Sequence, residues 1–258
     1  MKPALHLIVP VFNERANAET WMARTAEILQ HLENYRPRLI FVDDGSTDGT
    51  ADALRQASRG QDLTVLSHPV NRGPGAAVRT AFEWLHGSVR DEDAVVTLEG
   101  DNSSNLALIT DMLERRGQGA SLVLADPEAA GGGFAAVPAW RIGLSRAGNF
   151  VTRSLFRAKG RGSLSNFFRL HGGELIRRLQ ASFGPGIVES DGFAWAAEIF
   201  FKASLTGARP ERVPTRIDWT GRRGGSKMRV LRTAAGYAQL FFSVPRWRRM
   251  AGTSGRMP

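Results

Sequence analysis

Two stretches of the sequence carry paired carboxylates at the end of an apolar run. "FVDDGSTDGT" (41–50) presents Asp43 and Asp44, followed at once by glycines, hydroxyls and a third aspartate, and "VVTLEGDNSS" (95–104) presents Glu99 and Asp101 around Gly100. Carboxylates accept hydrogen bonds from base N–H groups and ribose hydroxyls, and they ligate hard divalent cations. Yet the whole chain is basic, with 34 Lys+Arg against 25 Asp+Glu and a net charge of +9, a balance that favours anionic partners. The arginines crowd the second half, in "RSLFRAKGRG", "RIDWTGRRGGSKMRVLR" and "PRWRRM". One part of the chain is therefore expected to meet a ligand with acids, and another to hold phosphate with bases.

The elements that must position these groups alternate along the first 125 residues. Short apolar runs at 5–9, 39–42, 63–66, 94–98 and 121–125 suit buried strands. Between them, residues 18–33, 50–56, 76–85 and 106–113 have helical spacing, the third with Val78, Ala81, Phe82 and Leu85 on one face. Strand–helix alternation predicts an α/β, doubly wound, mostly parallel sheet, Rossmann-like, whose ligands bind beyond the carboxyl ends of the strands. The unusual residues sit at four such ends: 10–14, 43–47, 71–75 and 99–103. Past residue 126 the pattern loosens. The glycine-rich "DPEAAGGGFAAVP" reads as a mobile loop. "WRIGLSRAGNFVTRSLF" has helical periodicity, and "GFAWAAEIFFKASLTG" is a helix stopped by Gly207. "RPERVPTRIDWT" reads as an extended edge segment because its prolines exclude a central strand.

Composition narrows the classes. With 258 residues, 42% hydrophobic and 23% charged, the chain can bury a full core and is neither disordered nor fibrous. It has no cysteine, so disulfides and thiolate metal sites are excluded, which suits a cytoplasmic protein. The N-terminal stretch, cut by Pro10, Asn13 and Glu14, reads as a first strand and not as a signal peptide. No G-x-G-x-x-G or G-x-x-x-x-G-K-[ST] occurs, which argues against a nicotinamide oxidoreductase and a phosphate-loop hydrolase. The arginines lack interleaved aromatics, so no nucleic-acid partner is expected. The uncharged run 233–244 is far short of the ~20 residues that span a bilayer; it either lies on a membrane surface or packs on the core.

"VPVFNE" (9–14), "FVDDGSTDGT" (41–50) and "NRGPGAAVRTAF" (71–82), in this order and spacing, resemble the family-two glycosyltransferases of the A-type nucleotide-sugar fold, and within them the polyprenyl-phosphate (dolichol-phosphate mannose type) synthases. The resemblance runs from about residue 4 to about 240. It implies a catalytic domain over 1–228 and an amphipathic tail over 229–258. It implies that Pro10, Val11, Asn13, Glu14, Asp43, Asp44, Arg72 and Gly75 bind the nucleotide sugar, and that Gly100 lets the backbone approach the sugar. Glu99 and Asp101 stand at the family's acid-x-acid metal site for Mg²⁺ or Mn²⁺, with Ser103 or Asn102 completing the shell. The chain departs from the usual pattern here, with glutamate for the commoner aspartate and Ser103 for a frequent glutamine. The basic "RRGGSKM" (222–228) resembles the family's acceptor element. By that likeness Arg222, Arg223 and Lys227 grip phosphate, joined by Arg141, Arg146, Arg169 and the helix-borne Glu198.

The implied reaction is inverting transfer of a sugar from a nucleotide-diphosphate donor (GDP-mannose or a UDP-sugar) to a polyprenyl-phosphate lipid, at an anionic membrane surface or beside a membrane-anchored partner subunit. Asp101, Glu99, Lys227 and Arg222 are the implied catalytic groups. A phosphate monoester is largely dianionic at neutral pH because its second pKa is ~6, so the acceptor needs positioning more than a base. His171 is given no role. Two alternatives keep the fold: a different acceptor (sugar, lipid or small phosphorylated metabolite), and a non-catalytic nucleotide-sugar binder.

Overall fold

A computed structural model describes residues 1–58, 60–143, 145–146, 149, 164, 166–220 and 230–254. Seven strands form one sheet in the order β3-β2-β1-β4-β7-β5-β8. They are β1 (Ala4–Val11), β2 (Arg36–Asp43), β3 (Leu63–Ser67), β4 (Ala94–Thr97), β5 (Leu122–Asp126), β7 (Arg169–Gly172) and β8 (Pro210–Pro214). All neighbours run parallel except β7, which is antiparallel to both β4 and β5. The helices are α1 (Ala18–Leu29), α2 (Thr50–Ala57), α3 (Pro74–Trp84), α4 (Leu108–Gly117), α5 (Gly173–Phe183), α6 (Trp195–Leu205) and α7 (Val230–Ser254).

Strand side chains alternate between two buried faces, which is why these runs are continuously apolar. Ile8, Ile40, Val42, Val95, Leu122 and Leu124 face the layer of α3, α5, α6 and α7. Leu5, Leu7, Val9, Leu39, Phe41, Val96 and Val123 face α1, α2 and α4. The sheet is thus covered on both sides, as doubly wound folds require.

Three features differ from the sequence reading. β1 does not end before Pro10 but continues to Val11, pairing Pro10 with Val42. Ile8 and Pro10 point their backbone groups toward β4, where Ile8 O accepts the Leu98 N–H at 3.0 Å. The last β4 residue pairs with Ile8, so the proline's missing N–H falls beyond that ladder. The glycine-rich stretch after β5 is not a plain loop: β6 (Gly133–Ala135) pairs in parallel with β9 (Arg216–Asp218) as a two-stranded ribbon. Finally, β7 and α5 carry no signal that the sequence reading used. The prolines of β8 do fall on the sheet edge, as expected. α7 packs Leu240, Val244 and Trp247 into the core, as one of the two expectations for this segment has it, while Phe241 and Phe242 stay 44% and 80% exposed. The division at 228/229 lies outside the described residues, as do Arg222, Arg223 and Lys227.

Candidate nucleotide-sugar site

The carboxyl ends of β1 and β2 are laced together by the "GSTDGT" side chains. The Asn13 N–H donates to Ser46 Oγ at 2.8 Å, Glu14 N–H to Thr50 Oγ1 at 2.9 Å, and Arg15 N–H to Asp48 Oδ2 at 3.1 Å. In return Thr47 N–H donates to Asn13 Oδ1 at 2.9 Å. Asn13 adopts a left-handed backbone (φ 53°), the turn that brings its amide to the next loop. Ser46, Asp48 and Thr50 were given no role in the sequence reading. Their alternation with glycine is the signal that a loop-to-loop clasp was present.

The adjacent acids do different work. Asp43, buried at the end of β2, accepts the Ser46 N–H at 3.1 Å and shares the strand-end floor with Pro10 and Val11. Asp44 turns the other way. It accepts Arg72 N–H at 2.9 Å and Gly73 N–H at 2.7 Å, and its Oδ1 lies 2.7 Å from His68 Nδ1. His68 continues to Thr80 Oγ1 at 2.9 Å. Asp44 is therefore saturated inside the protein: it shapes the β3–α3 turn and does not face a nucleoside. The Arg72 side chain remains exposed on that turn.

Gly75 also departs from expectation. A Cβ there would sit 1.9 Å from Ser190 O, and the Gly75 and Ala76 N–H groups donate to Asp191 O at 2.8 and 3.3 Å. The first amides of α3 are thus filled by the chain's own 188–191 segment, so Gly75 serves packing and not a diphosphate. Gly100 likewise is required by an internal approach, since its Cβ would lie 2.4 Å from Pro10 O.

After β4, Glu99 accepts the Phe167 N–H at 3.0 Å through one oxygen and the Ser104 hydroxyl through the other. Burial raises its carboxyl above the ordinary range, against the Ser104 bond and together with repulsion from Asp101. Asp101 Oδ1 accepts both N–H and Oγ–H of Ser103, at 3.2 and 2.5 Å. From α1, Trp21 Nε1–H reaches Gly100 O at 2.9 Å, and Arg24 donates to Asn102 O at 2.5 Å and Ser104 O at 2.6 Å. Trp21 and Arg24, three apart on one helical face, fix the acidic loop. Neither Trp21 nor Arg24 is marked out by the helical spacing of 18–33, which fixes the helix but not what its side chains reach. Two carboxylates and a hydroxyl are a hard-oxygen donor set that fits Mg²⁺ or Mn²⁺ when a substrate phosphate supplies further oxygens. Among the described residues no group of three or more acids or histidines could hold a metal alone.

The second-half candidates divide. Arg141 stacks with its guanidinium carbon 5.0 Å from the ring centres of both Trp140 and Trp219, and Arg146 pairs with Glu128 at 2.8 Å. They follow β5, at the same sheet end as the acidic loops. Arg169 does not belong with them. It is fully buried on β7, donating to Asn166 O at 2.7 Å, Leu164 O at 2.6 Å and Ala196 O, so its fork is spent on backbone carbonyls. Glu198 is fully buried as well. It accepts Glu189 and Ser190 N–H at 2.8 and 2.9 Å and Lys202 Nζ at 2.6 Å, bracing the 188–191 segment and not meeting an acceptor. His171, with its pKa lowered to about 3 by burial and by Arg169, stays neutral in the core.

The sequence model described as Glycosyl transferase family 2 matches residues 6–169. An undecaprenyl-phosphate 4-deoxy-4-formamido-L-arabinose transferase of Pseudomonas savastanoi pv. phaseolicola is 35% identical over 97 residues, 37% of this chain and 27% of that protein. A bactoprenol glucosyl transferase of Shigella phage SfV is 30% identical over 122 residues, 47% of this chain and 38% of that one. The matches thus span well under half the length of these curated relatives. In fold, the chain resembles glucosyl-3-phosphoglycerate synthase from Mycobacterium tuberculosis, solved with Mn²⁺ and UDP-glucose. The TM-score is 0.60 at 15% identity, covering 95% of this chain and 79% of that one.

Proposed function

Because the chain belongs to glycosyl transferase family 2, we propose that it moves a sugar from a nucleotide-diphosphate donor to a polyprenyl phosphate, with inversion at the anomeric carbon. One observation carries the reading: the four loops of the family pattern converge at one sheet end, with the β1 and β2 loops clasped together and Glu99 and Asp101 beside them. The printed names of the relatives supply the acceptor class.

In this reading Pro10, Val11, Asn13, Glu14 and Asp43 receive the nucleoside, and Arg72 lies toward the diphosphate. Asp101, with Glu99 and Ser103, holds Mg²⁺ or Mn²⁺, which when bound neutralises charge on the departing diphosphate. The acceptor phosphate oxygen forms a bond to the anomeric carbon as the bond to the donor's β-phosphate oxygen breaks, and the pair of electrons leaves with the nucleoside diphosphate. Arg141 and Arg146, with Arg222, Arg223 and Lys227, balance the acceptor's charge. Residues 1–228 form the catalytic part and 229–258 a tail. No described helix is long and apolar enough to cross a membrane. The outer face of α7, with Phe241, Phe242, Arg248 and Arg249 and no acid anywhere on the helix, suits the anionic cytoplasmic face of a membrane or a membrane-anchored partner subunit.

The test is turnover: purified protein, Mn²⁺ or Mg²⁺, a panel of labelled GDP- and UDP-sugars, and a short polyprenyl phosphate. Label entering the organic phase, and lost with chelator, is the expected result. Transfer only to a small phosphorylated metabolite replaces the acceptor, and metal-dependent donor binding without any transfer makes the protein a binder.

A further inference from the structure

The 188–191 segment is held from three sides. From α3, Arg79 donates to Glu189 O at 3.1 Å and pairs with Asp191 at 2.6 Å. From α6, the fully buried Lys202 reaches Glu189 Oε1 at 3.2 Å, besides Gly186 O and Glu198. From α7, Trp247 Nε1–H donates to Glu189 Oε1 at 3.0 Å, and Arg246 pairs with Oε2. The Trp247 ring also covers the Lys202 ammonium at 4.4 Å. Glu189 is thus the one side chain in this group that joins α6 and α7 to a segment whose carbonyls fill the start of α3.

That segment presses directly on the β3–α3 turn. Besides the two amides bonded to Asp191 O, a Cβ on Gly73 would lie 2.4 Å from the same oxygen. Gly73 has φ 107°, open to glycine and strained for other residues. The turn carrying Arg72 is therefore clamped between Asp44 on one side and the 188–191 segment on the other. We propose that Glu189 is a positioning residue for donor binding, the link through which the C-terminal helix holds the Arg72 turn in its ligand-ready shape. The inference rests on the reading of that turn as part of the donor site. It gives α7 a second task besides packing: a helix more than 150 residues away in sequence sets the shape of the donor pocket.

The experiment measures affinity for UDP and for GDP, each with Mn²⁺, by calorimetry on full-length protein, with circular dichroism confirming that each variant is folded at that temperature. Glu189→Gln keeps the shape but loses both ion pairs. It should weaken nucleoside diphosphate binding about tenfold, the scale of one charge-assisted hydrogen bond, and raise the donor KM with kcat changed less than twofold. Arg246→Ala, which removes one of the two α7 contacts to Glu189 and leaves that of Trp247, should shift affinity the same way by a smaller factor, and it carries the test if Glu189→Gln does not fold. Unchanged donor affinity in the folded variants overturns the inference and leaves the function standing. Failure of the wild-type protein to bind either nucleoside diphosphate overturns the donor-site reading, and this inference with it.

Discussion

The two halves of the molecule use the same charged residue types for opposite purposes. At the end of β4, Glu99 and Asp101 are half-buried and bonded to loop amides and hydroxyls, while Asp43 at the end of β2 is buried and accepts a loop amide. Behind β7, Arg169, Glu198 and Lys202 are wholly inside, bonded to backbone carbonyls and amides or to one another. The first set belongs to the loops that follow the strands of the parallel sheet. The second replaces water for backbone that has no regular partner, chiefly at Leu164, Asn166 and 186–190. Residue type alone does not separate the two; what does is whether the neighbouring backbone is already satisfied by a sheet or helix.

The sharpest way to break this contrast is to remove one charge from each set and measure both folding and turnover. Glu198→Ala should cost about 3–5 kcal/mol of stability, because it takes the nearer of two carboxylates from the buried Lys202 ammonium and strands two backbone amides. Denaturant midpoints would read this, and a loss under 1 kcal/mol would mean that the internal network is not structural. Asp101→Asn should leave the midpoint nearly unchanged and lower turnover by roughly 10²–10³-fold, the scale for losing transition-state charge stabilisation. A destabilised but active Asp101→Asn protein would invert the comparison.

A third test sharpens it by pH. His6 is buried on β1 with no hydrogen-bond partner for either ring nitrogen among the described residues, and burial lowers its pKa from 6.5 to about 4 despite the nearby Asp93. In that interval the unfolded chain binds the proton and the folded chain does not, so stability falls as the solution is acidified from about pH 6.5 toward 4. His6→Leu should flatten the stability curve there by up to about 1.4 kcal/mol per pH unit. His171, lowered to about 3, leaves a residual slope of the same sign. An unchanged slope in the variant would assign the acid sensitivity elsewhere.

How much of this was legible in the sequence follows from the same physics. The first four strands and helices announce themselves because each strand is buried on both faces and each helix on one, so the apolar pattern is continuous or periodic. The clustering of polar residues at the strand ends followed from the topology. β7 was illegible: Arg169-Leu170-His171-Gly172 sits in the middle of a sheet with an arginine and a histidine in it, bonded in ways that only the fold supplies. The three-residue β6 and β9 are too short to show a period. Asp44, Gly75, Arg169 and Glu198 were legible as special but not in direction. Each points into the protein toward backbone it must satisfy or make room for: Asp44 toward the 68–73 turn, Gly75 and Glu198 toward 188–191, and Arg169 toward Leu164, Asn166 and Ala196.

The place of β7 also sets the order in which the sheet can be completed. β1, β2 and β3 find one another within the first 67 residues, and β4 joins them by residue 97. β5 cannot join then, since both of its neighbours, β7 and β8, are encoded after it, the nearer beginning at Arg169. During synthesis, β4 therefore waits with one bare edge and β5 with two while more than forty residues emerge. Bare strand edges are templates for pairing with other chains. The loops after β1, β2 and β4 are thus encoded before the sheet can close, and closing that gap is the work of four residues that look least like a strand.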